Sequence, residues 1–120
     1  MSLSCIAEAK LEETGFSYTL SLIQGKYKMT ILYCLAEFKV VRFNEMKKYI
    51  GIISYKTLST MLKELENDGL VHREEYPQIP PKVEYSLTVK GRSLIPILDA
   101  MCDWGERHRP DMPVRRSNAG

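Results

Sequence analysis

The sequence is short of the features that mark several protein classes. It has only three cysteines, Cys5, Cys34 and Cys102, widely spaced and without a CxxC pair. That argues against a disulfide scaffold and for a reducing compartment. No run approaches the ~18 apolar residues needed to cross a bilayer, so no membrane partner is expected. Met1–Cys5 shows no basic stretch followed by an apolar one; no secretory signal is read there, and a cytoplasmic location is the expectation. His72 and His108 are the only histidines, and no Cys or His pair has ligand spacing, so neither a metal site nor a cofactor is expected. No GxSxG, phosphate loop or dinucleotide fingerprint occurs. The adjacent carboxylates Glu74 and Glu75 fall on a strand-like segment, where neighbours point to opposite faces, and make a poor acid–base couple. With 120 residues, one domain is expected, with little room for a deep catalytic cleft. The sequence therefore does not read as an enzyme.

Neither sign of charge dominates: 17 basic side chains face 15 acidic ones, a net of +2. The distribution is more informative. Residues 39–92 carry 10 basic and 7 acidic side chains, whereas 1–38 carry 3 and 4 and 93–120 carry 4 and 4. A polyanionic partner would dock on the middle of the chain.

Apolar spacing supplies the elements. Residues 5–13 are compatible with an amphipathic helix interrupted by Gly15, and Phe16–Ile23 with a short helix closed by Gly25. Residues 27–38 carry a wide apolar face at helical spacing and should be central to the core, with Cys34 an inert member of it. After a break at Lys39–Arg42, residues 43–50 place Phe43, Met46 and Ile50 on one side of a helix closed by Gly51. Ser54 stands where an N-cap belongs. Leu58, Met61, Leu62 and Leu65 then form an i, i+3, i+4, i+7 stripe that Asn67-Asp68-Gly69 ends. Two short helices around a tight turn outline a helix-turn-helix.

Two strand-like segments follow, 70–76 and 83–88, joined by a loop with three prolines. Each proline removes a donor and fixes φ, so the loop should be stiff and project. A helix-turn-helix followed by such a hairpin is a winged helix. The last element is expected from Thr88 to about Arg107, with Pro96 either bending it or lying near its true start. Its apolar surface, Leu94, Leu98, Met101, Cys102 and Trp104 above all, is wider than one face against the domain requires, and should serve a second copy of the chain. The fold class is thus α+β, mainly α: a winged helix with extra N- and C-terminal dimerisation helices over 1–107, and a flexible tail over 108–120.

The helix after Ser54 is polarised. Tyr55, Lys56, Thr57, Ser59 and Thr60 lie at its start, and Glu64, Glu66 and Asp68 at its end. Entering a major groove by its N-terminus, it would bring a positive dipole end and hydrogen-bonding side chains to DNA while keeping carboxylates from the phosphates. Lys56 would read a guanine edge or bind a phosphate, Ser59 and Thr60 would reach bases or backbone, and Lys63 also faces out. Lys47 and Lys48 would sit near the backbone, and Arg73 and Lys82 would address phosphates or an adjacent minor groove.

The ordered series Gly25-Lys26-Tyr27-Lys28, Arg42-Phe43-Asn44-Glu45-Met46, Ile53–Leu58, Leu62–Val71, Tyr76-Pro77, Pro80–Thr88, Gly91, Ser93–Asp99 and Trp104-Gly105 closely resembles the HxlR-type winged-helix transcriptional regulators of bacteria. The resemblance spans roughly residues 16–107. It implies a homodimer, clasped through its terminal helices, on double-stranded DNA with two half-sites, answering to a thiol-reactive or small-molecule effector whose identity is open. Members commonly carry a cysteine just before the Phe16–Ile23 helix; Thr14 stands there in this chain and has no thiol. Cys5 is then the candidate redox residue. The competing class is a winged helix used for protein contact without DNA binding.

Overall fold

A computed structural model describes residues 8–111. The elements are α1 (Gly15–Ile23), α2 (Lys28–Phe38), β1 (Val41–Arg42), α3 (Phe43–Ile50), α4 (Tyr55–Asn67), β2 (Val71–Tyr76), β3 (Lys82–Leu87), α5 (Val89–Arg92) and α6 (Ile95–His108). The chain is mainly helical, with a three-stranded antiparallel sheet in the order β1-β3-β2. This is the expected winged helix-turn-helix.

Three expectations need correction. Residues 5–7 of the expected 5–13 helix lie outside the described residues, and residues 8–13 form no α-helix; Leu11–Glu13 make a 3-10 turn, none of whose residues is buried. Without a core to pack on, a segment this short has too little hydrogen bonding to hold a helix. The break at Lys39–Arg42 contains a strand: Val41 pairs with Tyr85 and Arg42 with Glu84. Two residues are too few to show a period of two, so the alternation that marks a strand has no room to appear. The C-terminal element is two helices, because the chain turns at Ser93–Leu94 and α6 starts with Pro96 in its first turn, where a missing N–H costs nothing.

Helix α2 is the centre of the core. Ile31, Leu32, Cys34 and Leu35 are fully buried, and Val41, Met46, Leu58, Leu62, Leu65, Leu70, Val71, Tyr85, Leu87 and Leu98 close around them. Two γ-turns with positive φ set the path into and out of α3. At Lys39 (φ 69°) the Val40 amide donates to the Phe38 carbonyl at 2.8 Å, and at Gly51 (φ 88°) the Ile52 amide donates to the Ile50 carbonyl at 3.1 Å. Glycine takes the second conformation at little cost; a lysine is strained in the first. Across α2 and α3, Phe38 and Tyr49 meet edge to face at 5.0 Å.

The wing is anchored where β3 ends. The Thr88 amide donates to the Leu70 carbonyl at 3.1 Å, its hydroxyl to the Gly69 carbonyl at 2.6 Å, and the same hydroxyl caps α5 by accepting from the Gly91 amide at 2.9 Å. Gly91 is buried, and a Cβ on it would lie 2.1 Å from the Leu70 carbonyl oxygen. That atom is backbone and cannot step aside. Gly91→Ala should therefore destabilise the protein by at least ~1–3 kcal/mol, as overpacking does, read as a lower midpoint in urea denaturation. An unchanged midpoint would mean that α5 is free to move off the strand.

Candidate nucleic-acid interface

Helix α4 is divided lengthwise by its period. Leu58, Leu62 and Leu65 are buried, while Lys56, Ser59, Thr60 and Lys63 lie exposed on other faces. Ser54 caps it: its hydroxyl accepts from the Thr57 amide at 3.0 Å and donates to the Thr57 hydroxyl at 2.9 Å. Ser54 and Thr57 are thus engaged with one another, whereas Lys56, Ser59 and Thr60 show no side-chain partner among the described residues. Tyr55 is exposed but not loose. Its ring stacks on Phe43 at 5.8 Å, and Lys47 lies 4.6 Å from its centroid on the same small cluster. This cluster ties the first turn of α4 to α3 and sets Lys47 beside the N-terminus of α4. Lys48 is exposed on α3.

The far half of α4 is acidic, and one of its acids has a structural use that the sequence reading missed. Lys28 on α2 is only 5% exposed, and its ammonium lies 2.7 Å from the Glu64 carboxylate. A buried ammonium needs a counter-charge, so this pair pins the rotation of α4 on α2. Lysine at the start of an apolar helix looks like a solvated side chain in sequence, and no local pattern marks it as buried. The positive side of α4 is its N-terminal end, where the helix dipole, Lys56 and the flanking Lys47 and Lys48 coincide.

The wing differs from the expectation. Arg73 lies 3.2 Å from Glu75 and Lys82 lies 3.3 Å from Glu84, with Lys82 also 4.9 Å from the Tyr76 ring centroid. Both cations expected to face phosphates are matched by carboxylates two residues away on their own strands. Exposed pairs of this kind are weak and can exchange partners, but the carboxylates remain beside them. Arg73 and Tyr85 do join Ser59, Lys63 and Glu66 in lining one groove of about 280 Å³, so the base of the wing runs alongside α4.

The terminal helices leave apolar surface uncovered. α1 buries none of its residues, and Phe16 is 67% exposed. On α6, Met101 and Trp104 are exposed, Trp104 at 62%, with its ring stacked on His108 at 4.3 Å; Leu94 and Cys102 are half-buried. Leu98 corrects one expectation, since it is 5% exposed within the chain's own core and has little surface left for a partner. Thr14 caps α1, its hydroxyl accepting from the Ser17 amide at 3.0 Å. Among the described residues no helix is long and apolar enough to cross a membrane.

A helix-turn-helix with this wing can be compared with known proteins. The pattern of the HxlR-like helix-turn-helix family matches residues 22–113. The chain belongs to the HxlR-like family. An uncharacterized HTH-type transcriptional regulator of Halalkalibacterium halodurans is 61% identical over 99 residues, which is 82% of this chain and 88% of the relative. Among solved structures, the redox regulator HypR in its reduced form is 46% identical with a TM-score of 0.75, covering 80% of this chain and 94% of that one. The reduced form of the transcriptional regulator YodB from Bacillus subtilis is 32% identical with a TM-score of 0.67, covering 81% and 94%. The protein is thus an HTH-type transcriptional regulator rather than an enzyme, and its helix-turn-helix implies DNA binding.

In this HxlR-like chain the three thiols differ sharply. Cys5 lies outside the described residues, Cys102 is half-buried, and Cys34 is fully buried. Burial, and then the negative charge of Glu45, push the Cys34 thiol up to about 11. It stays protonated and unreactive at neutral pH. Because this value lies above the ordinary 9.0, the stability held by the buried thiol is whole below pH 9 and falls as pH rises through about 11. Native protein treated with iodoacetamide at pH 8 should carry no label on Cys34 by peptide mass mapping, and urea should expose it. Rapid labelling in the native state would show that the core opens around α2.

Proposed function

We propose that the protein is a sequence-specific DNA-binding regulator that acts as a homodimer on an operator with two half-sites. The observation that carries this reading is the outer face of α4. Lys56, Ser59, Thr60 and Lys63 are exposed on a helix whose opposite face is held in the core and whose carboxylates lie toward its C-terminal end. Such a helix enters a major groove by its N-terminus, with Lys56 on a guanine edge or phosphate and Ser59 and Thr60 on base edges or backbone. Ser54 and Thr57 hold the helix end in shape and Tyr55 braces it against α3, while Lys47 and Lys48 meet the adjacent phosphates. Arg73 stands at the base of the wing, beside the groove it shares with α4, and reaches phosphate by exchanging Glu75 for it. Lys82 does the same only by leaving Glu84. A winged helix devoted to protein contact would have no use for a helix face charged in this graded way.

Dimerisation follows from the apolar faces of α1 and α6. Phe16, Ile97, Met101 and Trp104 are exposed side chains that a second copy would cover, with Leu94 and Cys102 at their margin. A thiol signal of the kind implied by reduced and oxidised HypR and diamide-treated YodB would here be carried by Cys5 or Cys102, since Cys34 is buried and Thr14 has no thiol. A small-molecule effector is the other route to regulation.

Two measurements test the reading. Lys56→Ala should weaken binding to a duplex selected by the wild type by ~1–3 kcal/mol in a gel-shift titration. The wild type itself should lose affinity with salt at a slope of about −0.9 per phosphate contacted. Unaltered binding by the variant would remove Lys56 from the interface. Trp104→Glu should sediment as a monomer in analytical ultracentrifugation, because an interfacial charge would lack a partner. A stable dimer would move the interface off α6.

A further inference from the structure

We infer that the cavity between α2, β3 and the start of α6 binds a small organic anion, a carboxylate on a short apolar body, and that this is the effector site. Binding is argued from this chain's own side chains; the effector role alone rests on the DNA-binding reading above.

A lysine stands in a glycine's place at one wall of this cavity. Lys39 and Gly51 form the same kind of turn, with φ 69° and ψ −59° at Lys39 and φ 88° and ψ −73° at Gly51. Each follows the last residue of a helix, and each lets the next amide reach back to a carbonyl two residues earlier. The turn is rare, and strained for any residue with a Cβ. Glycine relieves it at 51, and at 39 the strain is kept. Strain kept at one of two equivalent turns points to a use for the side chain found there. Lys39 shows no side-chain partner among the described residues, and it lines a cavity of about 350 Å³. That volume is at the low end for small-ligand sites, roughly 300–1,000 Å³, and suits a short acid.

The rest of the lining fits such a ligand. Leu35, Leu87 and Ile95 contribute to an apolar wall, and the polar groups are Lys39, Arg92 and Ser86. The Arg92 guanidinium is steadied by donating from Nη1 to the Leu87 carbonyl at 3.1 Å, which leaves its other N–H groups to a ligand. No carboxylate lines the cavity. A cleft lined by charge of one sign concentrates ions of the other. A guanidinium grips a carboxylate through paired N–H groups, and an ammonium adds a point charge. A second cavity of about 260 Å³ shares Val40 with the first but has Glu45 and no cation in its lining. An anion is thus drawn to the first and repelled by the second.

The cavity's position supplies the regulatory link. Ile95 opens α6, whose exposed Met101 and Trp104 are assigned above to a second copy, and Leu87 ends β3, one residue before the Thr88 anchor. A ligand seated there touches both the helix that positions the partner and the strand that carries the wing. It shifts duplex affinity to the extent that it binds the DNA-competent arrangement better or worse than the alternative.

The test begins with the free wild type, titrated calorimetrically with butyrate, hexanoate, octanoate and benzoate. At least one acid should bind, and the alcohol and amine of the same skeleton should bind about tenfold more weakly or worse, the order of a lost charge-assisted hydrogen bond. Amide chemical shifts should move at Ser86, Leu87 and Ile95. Lys39→Gly should lose about tenfold in affinity for the acid yet unfold at no lower urea concentration, because glycine relieves the turn. Glu45→Gln, in the neighbouring cavity, should bind the acid as the wild type does. Equal binding of acid, alcohol and amine, wild-type binding by Lys39→Gly, or no binding of any of these acids would overturn the site. The bound acid should move the midpoint of a duplex titration by about fivefold or more. An acid that binds without moving it would overturn the effector role. A wild type that selects no duplex would bring down the DNA-binding reading, while calorimetry still decides the site.

Discussion

The period of one helix constrains everything else in this protein. α4 must bury Leu58, Leu62 and Leu65 and at the same time leave Lys56, Ser59, Thr60 and Lys63 in water. A helix with 3.6 residues per turn does both only in one rotational setting. Hydrophobic packing tolerates modest rotation, since leucines can repack; a buried ammonium does not. The Lys28–Glu64 pair therefore removes the freedom that the leucine stripe leaves. Glu64 has a second consequence, for the carboxylate that follows Lys63 on α4 has its charge matched by the Lys28 ammonium.

The same division of labour runs through the fold. α2 gives its surface to the core and α3 gives one side to it, so the helix-turn-helix is fixed by the same residues that fold the chain. The wing is fixed at its base by Thr88, whose hydroxyl joins the Gly69 carbonyl to the first turn of α5. β1 and the buried Tyr85 hold it as far as the Arg42–Glu84 rung, and beyond that rung the wing is held by its own ladder and its own ion pairs. Rigidity thus declines from α2 outward, and the apex owes its shape to proline rather than to packing. α1 and α6 lie outside this scheme, because much of their apolar surface is left exposed among the described residues.

Most of the architecture was legible in the residues because its signals are local. The Ser54 cap, the leucine stripe, the glycine stops at 51 and 69 and the hairpin alternation each declare themselves within a few positions, and each element appears where they place it. What was not legible depends on partners distant in sequence. β1 exists because Tyr85 and Glu84 lie opposite it, not because Val41-Arg42 is strand-like. Lys28 is buried because Glu64 is there to meet it. Leu98 sits on the apolar row expected to meet a second copy, and the chain covers it instead, since such a row shows that burial is needed but not by what. The wing cations look free in the sequence, which does not show which rotamers the neighbouring acids take. In the candidate site, the outer face of α4 could be named from the heptad-like spacing alone, whereas the brace of Tyr55 on Phe43 could not.

The sheet has two outer strands, and they are protected in different ways. β1 is only two residues long, too short to template another chain. β2 is longer, but from His72 to Glu75 every side chain is polar or charged, and Pro77 stands just past its end. A further strand laid against it would have to strip water from these groups and would meet no apolar face in return. This small sheet is therefore poorly suited to cross-β stacking, and the protein should resist amyloid-like aggregation at its wing even though the wing carries an uncovered isoleucine.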